Sequence, residues 1–150
     1  QIRKTLERGE PREAREMLGY WHRIYGKVIR GDRRGRELGF PTVNLELKGI
    51  LIPRYGIYSC MIEVLSGEFA NLYKGAASIG EKPTFGTNET NLEVHIFKFA
   101  HEIYGEEVAV SLINFQRSEE KFESIEKLVR QMQLDCEQAS LYLSSFNLSK

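Results

Sequence analysis

The spacing of hydrophobic residues changes once along this chain, and that change constrains the fold more than any other feature. Between residues 20 and 115 apolar residues alternate with polar ones in short runs, as in strands with one covered face. The run NLEVHIFKF at 91–99 is the clearest. It puts Leu92, Val94 and Ile96 on one face and Glu93, His95 and Phe97 on the other. From Ile125 the step becomes three or four residues, through Leu128, Val129, Met132, Cys136, Ala139, Tyr142 and Phe146. That spacing predicts an amphipathic helix, N-capped by Ser124, with Glu126, Lys127, Arg130 and Glu137 on its polar face. Five or six short strands followed by one helix predict a mainly β fold: a small antiparallel barrel with the helix packed beside it.

Length and composition narrow the function classes. The 150 residues, 41% of them hydrophobic, suit one domain with a real core and perhaps a small appendage. Twenty-one basic residues balance twenty-one acidic ones. Nucleic-acid binding rests largely on phosphate neutralisation, so no nucleic-acid partner is expected. No apolar run reaches the roughly 18–20 residues of a membrane span, so no membrane partner is expected either. The charged N-terminus, QIRKTLERGEPREAR, does not resemble a secretory signal. Cys60 and Cys136 lack CxxC spacing and read as two buried free thiols in a reducing compartment, which predicts a cytoplasmic location. The first 18 residues read as two short helical segments, broken at Gly9 and Pro11 and ended by Gly19.

Four places carry residues suited to chemistry. The stretch from Gly31 to Pro41 reads as a loop with three glycines, and Arg33, Arg34 and Arg36 offer forked donors to phosphate. Its spacing matches neither a Walker A loop nor a dinucleotide fingerprint, and a solvated basic hairpin is the competing reading. In the strand after Pro41, Thr42 and Asn44 fall on one face, two hard oxygen donors suited to a magnesium ion that also holds phosphate. Glu93 is an acid in the middle of a strong strand, a candidate general base if its face is covered. Arg117 and Phe122 precede the helix, where a cation and an aromatic ring can grip a planar ligand. Gly80 to Asn91, with Pro83, Gly86 and Asn88, reads as a turn-rich loop.

Taken in order, the segments GKVIRGDRRGRELGFPTVNL, PRYGIYSC, GAASIGEKPTFG, NLEVHIFKF with IYGEEVAV, and FQRSEEKFESIEKL with QMQLDCEQA resemble the riboflavin kinase (flavokinase) family. The opening IRKTLERGEPREAREMLGYWH resembles the linker before the kinase module of bacterial bifunctional riboflavin kinase/FAD synthetases. The resemblance divides the chain into a helical linker remnant, 1–18, and a kinase module, 19–150, and implies that an N-terminal adenylyltransferase domain is missing. It implies a six-stranded antiparallel Greek-key β-barrel with a long C-terminal helix. It also implies transfer of the ATP γ-phosphate to the 5′-hydroxyl of riboflavin, giving FMN and ADP, with Mg2+ as cofactor. By position, Thr42 and Asn44 correspond to the magnesium and ATP-phosphate ligands, and Gly31 and Arg36 to nucleotide-loop contacts. Ile96, Lys98 and Tyr104 fall in the nucleotide pocket. Glu93 corresponds to the general base, and Arg117, Phe122 and Ser124 fall at the flavin site.

The sequence departs from the family at three of these places. Val43 stands where Ala is usual, Ser78 where Asn is frequent, and Lys98 where bacterial members often carry Asp. Thr42, Asn44 and Glu93 are intact. The rival readings are a barrel that binds single-stranded nucleic acid and a flavin-binding barrel without turnover.

Overall fold

The computed structural model describes residue 4 and residues 7–12, 23–30, 34–47, 52–84 and 87–144. Among them, six strands form one antiparallel sheet: β1 (Arg23–Lys27), β2 (Val43–Glu46), β3 (Gly56–Val64), β4 (Asn71–Thr84), β5 (Thr87–Ile96) and β6 (Glu107–Arg117). Their order across the sheet is β1-β6-β3-β4-β5-β2. Strands β3, β4 and β5 follow as a meander, and β6 returns to lie beside β3, which is the Greek-key arrangement. The two ends of the sheet approach each other past β1, where the Ile29 N–H donates to the Asn44 carbonyl at 2.8 Å. The sheet is thereby rolled into a nearly closed barrel, as the alternating sequence predicts.

Alternation explains what fills the interior. Ile24, Leu45, Tyr58, Cys60, Ile62, Ile79, Leu92, Val94, Val108 and Val110 all point inward and are almost fully buried. Strand β3 is buried on both faces because the helix α2 (Ile125–Ser144) lies over it and over β4. Under the helix a second cluster joins Met61, Ile113 and Leu143, flanked by Phe97 and Tyr142. The Ser124 hydroxyl accepts the Lys127 N–H at 3.2 Å, so Ser124 is the helix cap its position predicts. Ile125, at the head of the expected apolar stripe, is exposed instead, as are Glu126 and Lys127 beside it. Among the described residues no helix is long and apolar enough to cross a membrane.

Three local expectations change. The turn-rich loop expected from Gly80 to Asn91 is a strand ribbon: β4 and β5 stay paired from Gly80–Asn91 out to Thr84–Thr87. Beyond Ile79, β4 no longer pairs with β3, so Pro83 stands on a ribbon edge where its missing N–H leaves no ladder bond unmade. The basic stretch after Gly31 contains one helical turn, α1 (Arg34–Glu37). Of the two thiols, Cys60 is buried but Cys136 is only half-buried. Near the N-terminus residues 4, 7, 11 and 12 are helical and Gly9 breaks the run with φ 80°. The rest of the 1–18 linker, Gly31 and Phe146 lie outside the described residues.

Candidate active site

Among the described residues, Thr42 lines two clefts on this barrel. The first has a volume of about 280 Å³ and lies between the start of β2 and the segment joining β5 to β6. Arg36, Thr42, Val43, Asn44, Ile96 and Tyr104 line it, so five of the sequence-predicted site residues meet there. The second, of about 290 Å³, lies between the β4–β5 face and helix α2. Its walls include Thr42, Glu93, Arg117 and Phe122, together with apolar Leu38, Phe40, Ala76, Leu128 and Met132.

The junction between the clefts is built by strand pairing. Register sets Asn44 of β2 opposite Glu93 of β5, and Ser78 of β4 opposite Glu93 on the other side. One residue before β2, the Thr42 hydroxyl donates to Glu93 Oε1 at 3.1 Å. A hydroxyl has one proton to give, so this bond turns the Thr42 lone pairs away from Glu93. Asn44 is buried, 3% exposed, and its Oδ1 accepts the Asn91 side-chain amide at 3.3 Å, which fixes its orientation. The chain entering β2 is tied to β5 by His95, whose Nδ1 donates to the Pro41 carbonyl at 2.8 Å, while Phe40 packs edge-on to the His95 ring.

The wall groups are held differently in the two clefts. In the first, Arg36 Nη2 lies 3.4 Å from Glu102 Oε1, both side chains about half exposed. The Arg30 guanidinium sits 4.8 Å from the centroid of the Tyr104 ring. In the second, Arg117 grips Asp135 with two parallel bonds, Nε to Oδ1 at 2.8 Å and Nη2 to Oδ2 at 2.7 Å. Hydrogen bonding to Asp135 holds the Arg117 proton more firmly than usual, outweighing the opposing effect of burial. The Arg117 guanidinium also lies 5.8 Å from the centroid of the Phe122 ring. Burial, reinforced by the neighbouring Asp135 and Glu137 charges, pushes the Cys136 thiol on the same wall up to about 11.

Two expected site residues lie outside both linings. Lys98 is exposed on a left-handed turn after β5, with φ 55°, and Ser124 serves as helix cap. The spacing arguments missed Asp135, 5% exposed, although a charge between Met132 and Ala139 on the apolar stripe of a helix is itself a signal. They also missed Phe40 and Arg30, which no periodicity marks.

The oxygens of Thr42 and Asn44 fit a cation that arrives with phosphate. Among the described residues no group of three or more His, Cys, Asp or Glu side chains is placed to hold a metal ion by itself. A hard divalent ion such as magnesium commonly keeps its waters and takes only one or two protein oxygens beside phosphate oxygens, and two neutral donors in one cleft match that demand.

The chain is similar to known proteins along most of its length. The family model "Flavokinase: Riboflavin kinase" matches residues 18–143. A bifunctional riboflavin kinase/FMN adenylyltransferase from Listeria monocytogenes is 41% identical over 136 residues, covering 89% of this chain and 42% of that protein. The RNA-binding riboflavin kinase RibR of Bacillus subtilis is 40% identical over 113 residues, covering 75% of this chain and 47% of that protein. The chain thus spans less than half the length of these curated relatives. A solved structure described as a macrolide-efflux protein from Streptococcus pneumoniae superposes with a TM-score of 0.83 at 34% identity, covering 97% of this chain and 46% of that one. With the matched model covering residues 18–143, from ahead of β1 to the end of α2, the chain belongs to the riboflavin kinase family.

Proposed function

We propose that this chain transfers the γ-phosphate of ATP to the 5′-hydroxyl of riboflavin, giving FMN and ADP. The observation that carries the reading is the shared edge: two clefts, one holding Arg36 and Asn44 and the other Arg117 and Phe122, meet at Thr42, which is bonded to the Glu93 carboxylate. ATP would occupy the first cleft, with its phosphates toward Thr42 and Asn44 and Arg36 within reach of their charge. Riboflavin would occupy the second, its ring against Phe122 and Arg117 and its ribityl chain toward Glu93. Thr42 and Asn44 would hold the Mg2+ that accompanies ATP. When bound, that ion neutralises phosphate charge as it develops.

The chain's own residues then have simple tasks. Glu93 accepts the proton of the 5′-hydroxyl as its oxygen forms a bond to the γ-phosphorus and the bond from that phosphorus to the ADP oxygen breaks. Phosphoryl transfer depends on positioning and charge stabilisation more than on covalent catalysis, so a single well-placed carboxylate suffices. In the same reading Gly31 contacts the nucleotide, Ile96 and Tyr104 flank it, and Lys98 and Ser124 act from outside the cleft linings. The family's pairing with an FMN adenylyltransferase suggests such a segment alongside these residues, in a cytoplasmic protein. The 150 residues themselves are expected to stop at FMN.

Incubation with riboflavin, ATP and Mg2+, resolved by chromatography, tests the function. FMN and ADP in equal amounts support it. Flavin binding without FMN would leave a non-catalytic flavin module. A salt-sensitive shift with single-stranded RNA would add a nucleic-acid partner, which the balanced charge of the chain does not favour.

A further inference from the structure

Arg117 reaches the second cleft through an irregularity in its strand. Against β3, Arg117 pairs with Ile57 and Phe115 with Tyr58, which leaves Gln116 without a partner residue. With strict alternation Phe115 and Arg117 would share a face. The extra residue lets Phe115 stay edge-on to Tyr58, ring centroids 5.2 Å apart, while Arg117 turns to the helix. Gly56 makes room for this bend: a Cβ there would run into the Arg117 carbonyl and the Phe115 ring, and its φ is 150°. The displaced Gln116 is not idle. Its side chain accepts the Ser59 hydroxyl at 2.5 Å and donates to the Asp135 carbonyl at 3.3 Å.

Asp135 completes the arrangement from the helix. Its side chain is 7% exposed, and that of Arg117 is 19% exposed. Asp135 Oδ1 accepts both Arg117 Nε and Gln131 Nε2, the latter at 3.0 Å, and Oδ2 accepts Arg117 Nη2. Arg117 Nη1 donates to the Ser118 carbonyl at 3.0 Å and lies 3.6 Å from Glu120 Oε2. These contacts hold the guanidinium at the cleft wall, beside the Phe122 ring.

We propose that Asp135 is a positioning residue for flavin binding: it holds the Arg117 guanidinium at the cleft wall, and Gln131 holds Asp135, so an incoming planar ring meets a wall already in place. This rests on the assignment of the second cleft to riboflavin. It goes beyond that assignment in giving the clamp a ligand-specific consequence. A rotating guanidinium would lose the energy of ordering it when the ligand binds, and the clamp removes that cost beforehand. Because the first cleft shares none of these groups, ATP binding should be indifferent to them. If Asp135 only fastens the helix to the barrel, stability alone should respond.

The test uses the full 150-residue chain, with riboflavin affinity read by flavin fluorescence, KM for ATP, and melting temperature on the same preparations. Asp135→Asn should weaken riboflavin binding about tenfold or more, as expected for a lost charged hydrogen bond, and leave KM for ATP within about twofold. Arg117→Lys should do the same, and the double variant should be no worse than the weaker single one, since both break one unit. Gln131→Ala removes only the bond behind Asp135. It should fold and weaken riboflavin binding by about two- to fivefold, so it decides the matter if Asp135→Asn does not fold. Wild-type riboflavin affinity in either folded Asp135→Asn or Gln131→Ala overturns the clamp, as do equal losses for riboflavin and ATP, or additive losses in the double variant. A wild-type chain that binds no riboflavin overturns the assignment of the cleft, and the clamp with it.

Discussion

The two clefts that meet at Thr42 are nearly equal in volume, yet they hold their charged groups in opposite ways. In the first, Arg36 and Glu102 stand 3.4 Å apart with side chains 49% and 55% exposed. Such pairs contribute about 0–1 kcal/mol and are readily exchanged for a better partner. In the second, Arg117 and Asp135 are bonded at 2.7 and 2.8 Å and largely buried. Breaking a buried pair by removing one partner costs roughly 3–5 kcal/mol. A site for a polyanion keeps its cation available, whereas a site for a neutral planar ring uses its cation as part of the wall. The difference matches ATP on one side and riboflavin on the other.

The largest expected effect lies at the junction itself. Glu93→Gln keeps the size of the side chain and an acceptor for the Thr42 hydroxyl but removes the basic site. Turnover should fall by about 10² to 10⁴, the usual loss for a general base. Riboflavin and ATP affinities should change far less. Wild-type kcat in a well-folded Glu93→Gln protein would end the general-base assignment and leave the clefts merely adjacent.

The next effects should divide the clefts. Thr42→Ala and Asn44→Ala should each raise the magnesium needed for half-maximal activity by about 10- to 100-fold, comparable to other losses of metal-holding groups. Asn44→Ala should also lower the melting temperature, because the half-buried Asn91 amide loses its partner and the buried Asn44 site loses packing. Unchanged magnesium dependence in both variants would remove them from the cation site.

Cys136 gives a smaller, one-sided probe. Its thiol, raised to about 11, is overwhelmingly protonated at pH 8, and only the thiolate reacts. Alkylation should be slow at pH 8 and accelerate as pH rises toward 11. Since Cys136 lines the second cleft alone, riboflavin should slow the reaction and ATP should not. Rapid modification at pH 7, or protection by ATP and not by riboflavin, would contradict the comparison. Smallest of all, Ser124→Ala should cost about 1 kcal/mol of stability through the lost cap and leave both ligand affinities near wild type. A selective loss of riboflavin affinity would instead make Ser124 part of the flavin site.

How much of this was legible in the sequence follows from what each signal measures. Alternation reports a covered face, so the barrel strands and the inward set Leu92, Val94 and Ile96 were readable directly. The helix was readable from its stripe and from Ser124. The ribbon beyond Gly80 was not, because Gly80, Pro83 and Asn88 have turn propensity and their pairing depends on β5 continuing alongside. Glu93 and Thr42 were visible as residue types, but their mutual bond comes from pairing β2 with β5, which lie far apart in the chain. Asp135 was visible as a charge on an apolar stripe, but its partner was not, because a bulge in β6, invisible to spacing, turns Arg117 to meet it.

A ligand-bound structure of the chain with ADP, Mg2+ and FMN tests the central claim most directly. The account predicts ADP in the cleft of Arg36 and Tyr104, the flavin ring in the cleft of Arg117 and Phe122, and the FMN phosphate at the Thr42–Glu93 edge between them. Both ligands in one cleft, or an FMN phosphate remote from Thr42 and Glu93, would contradict it.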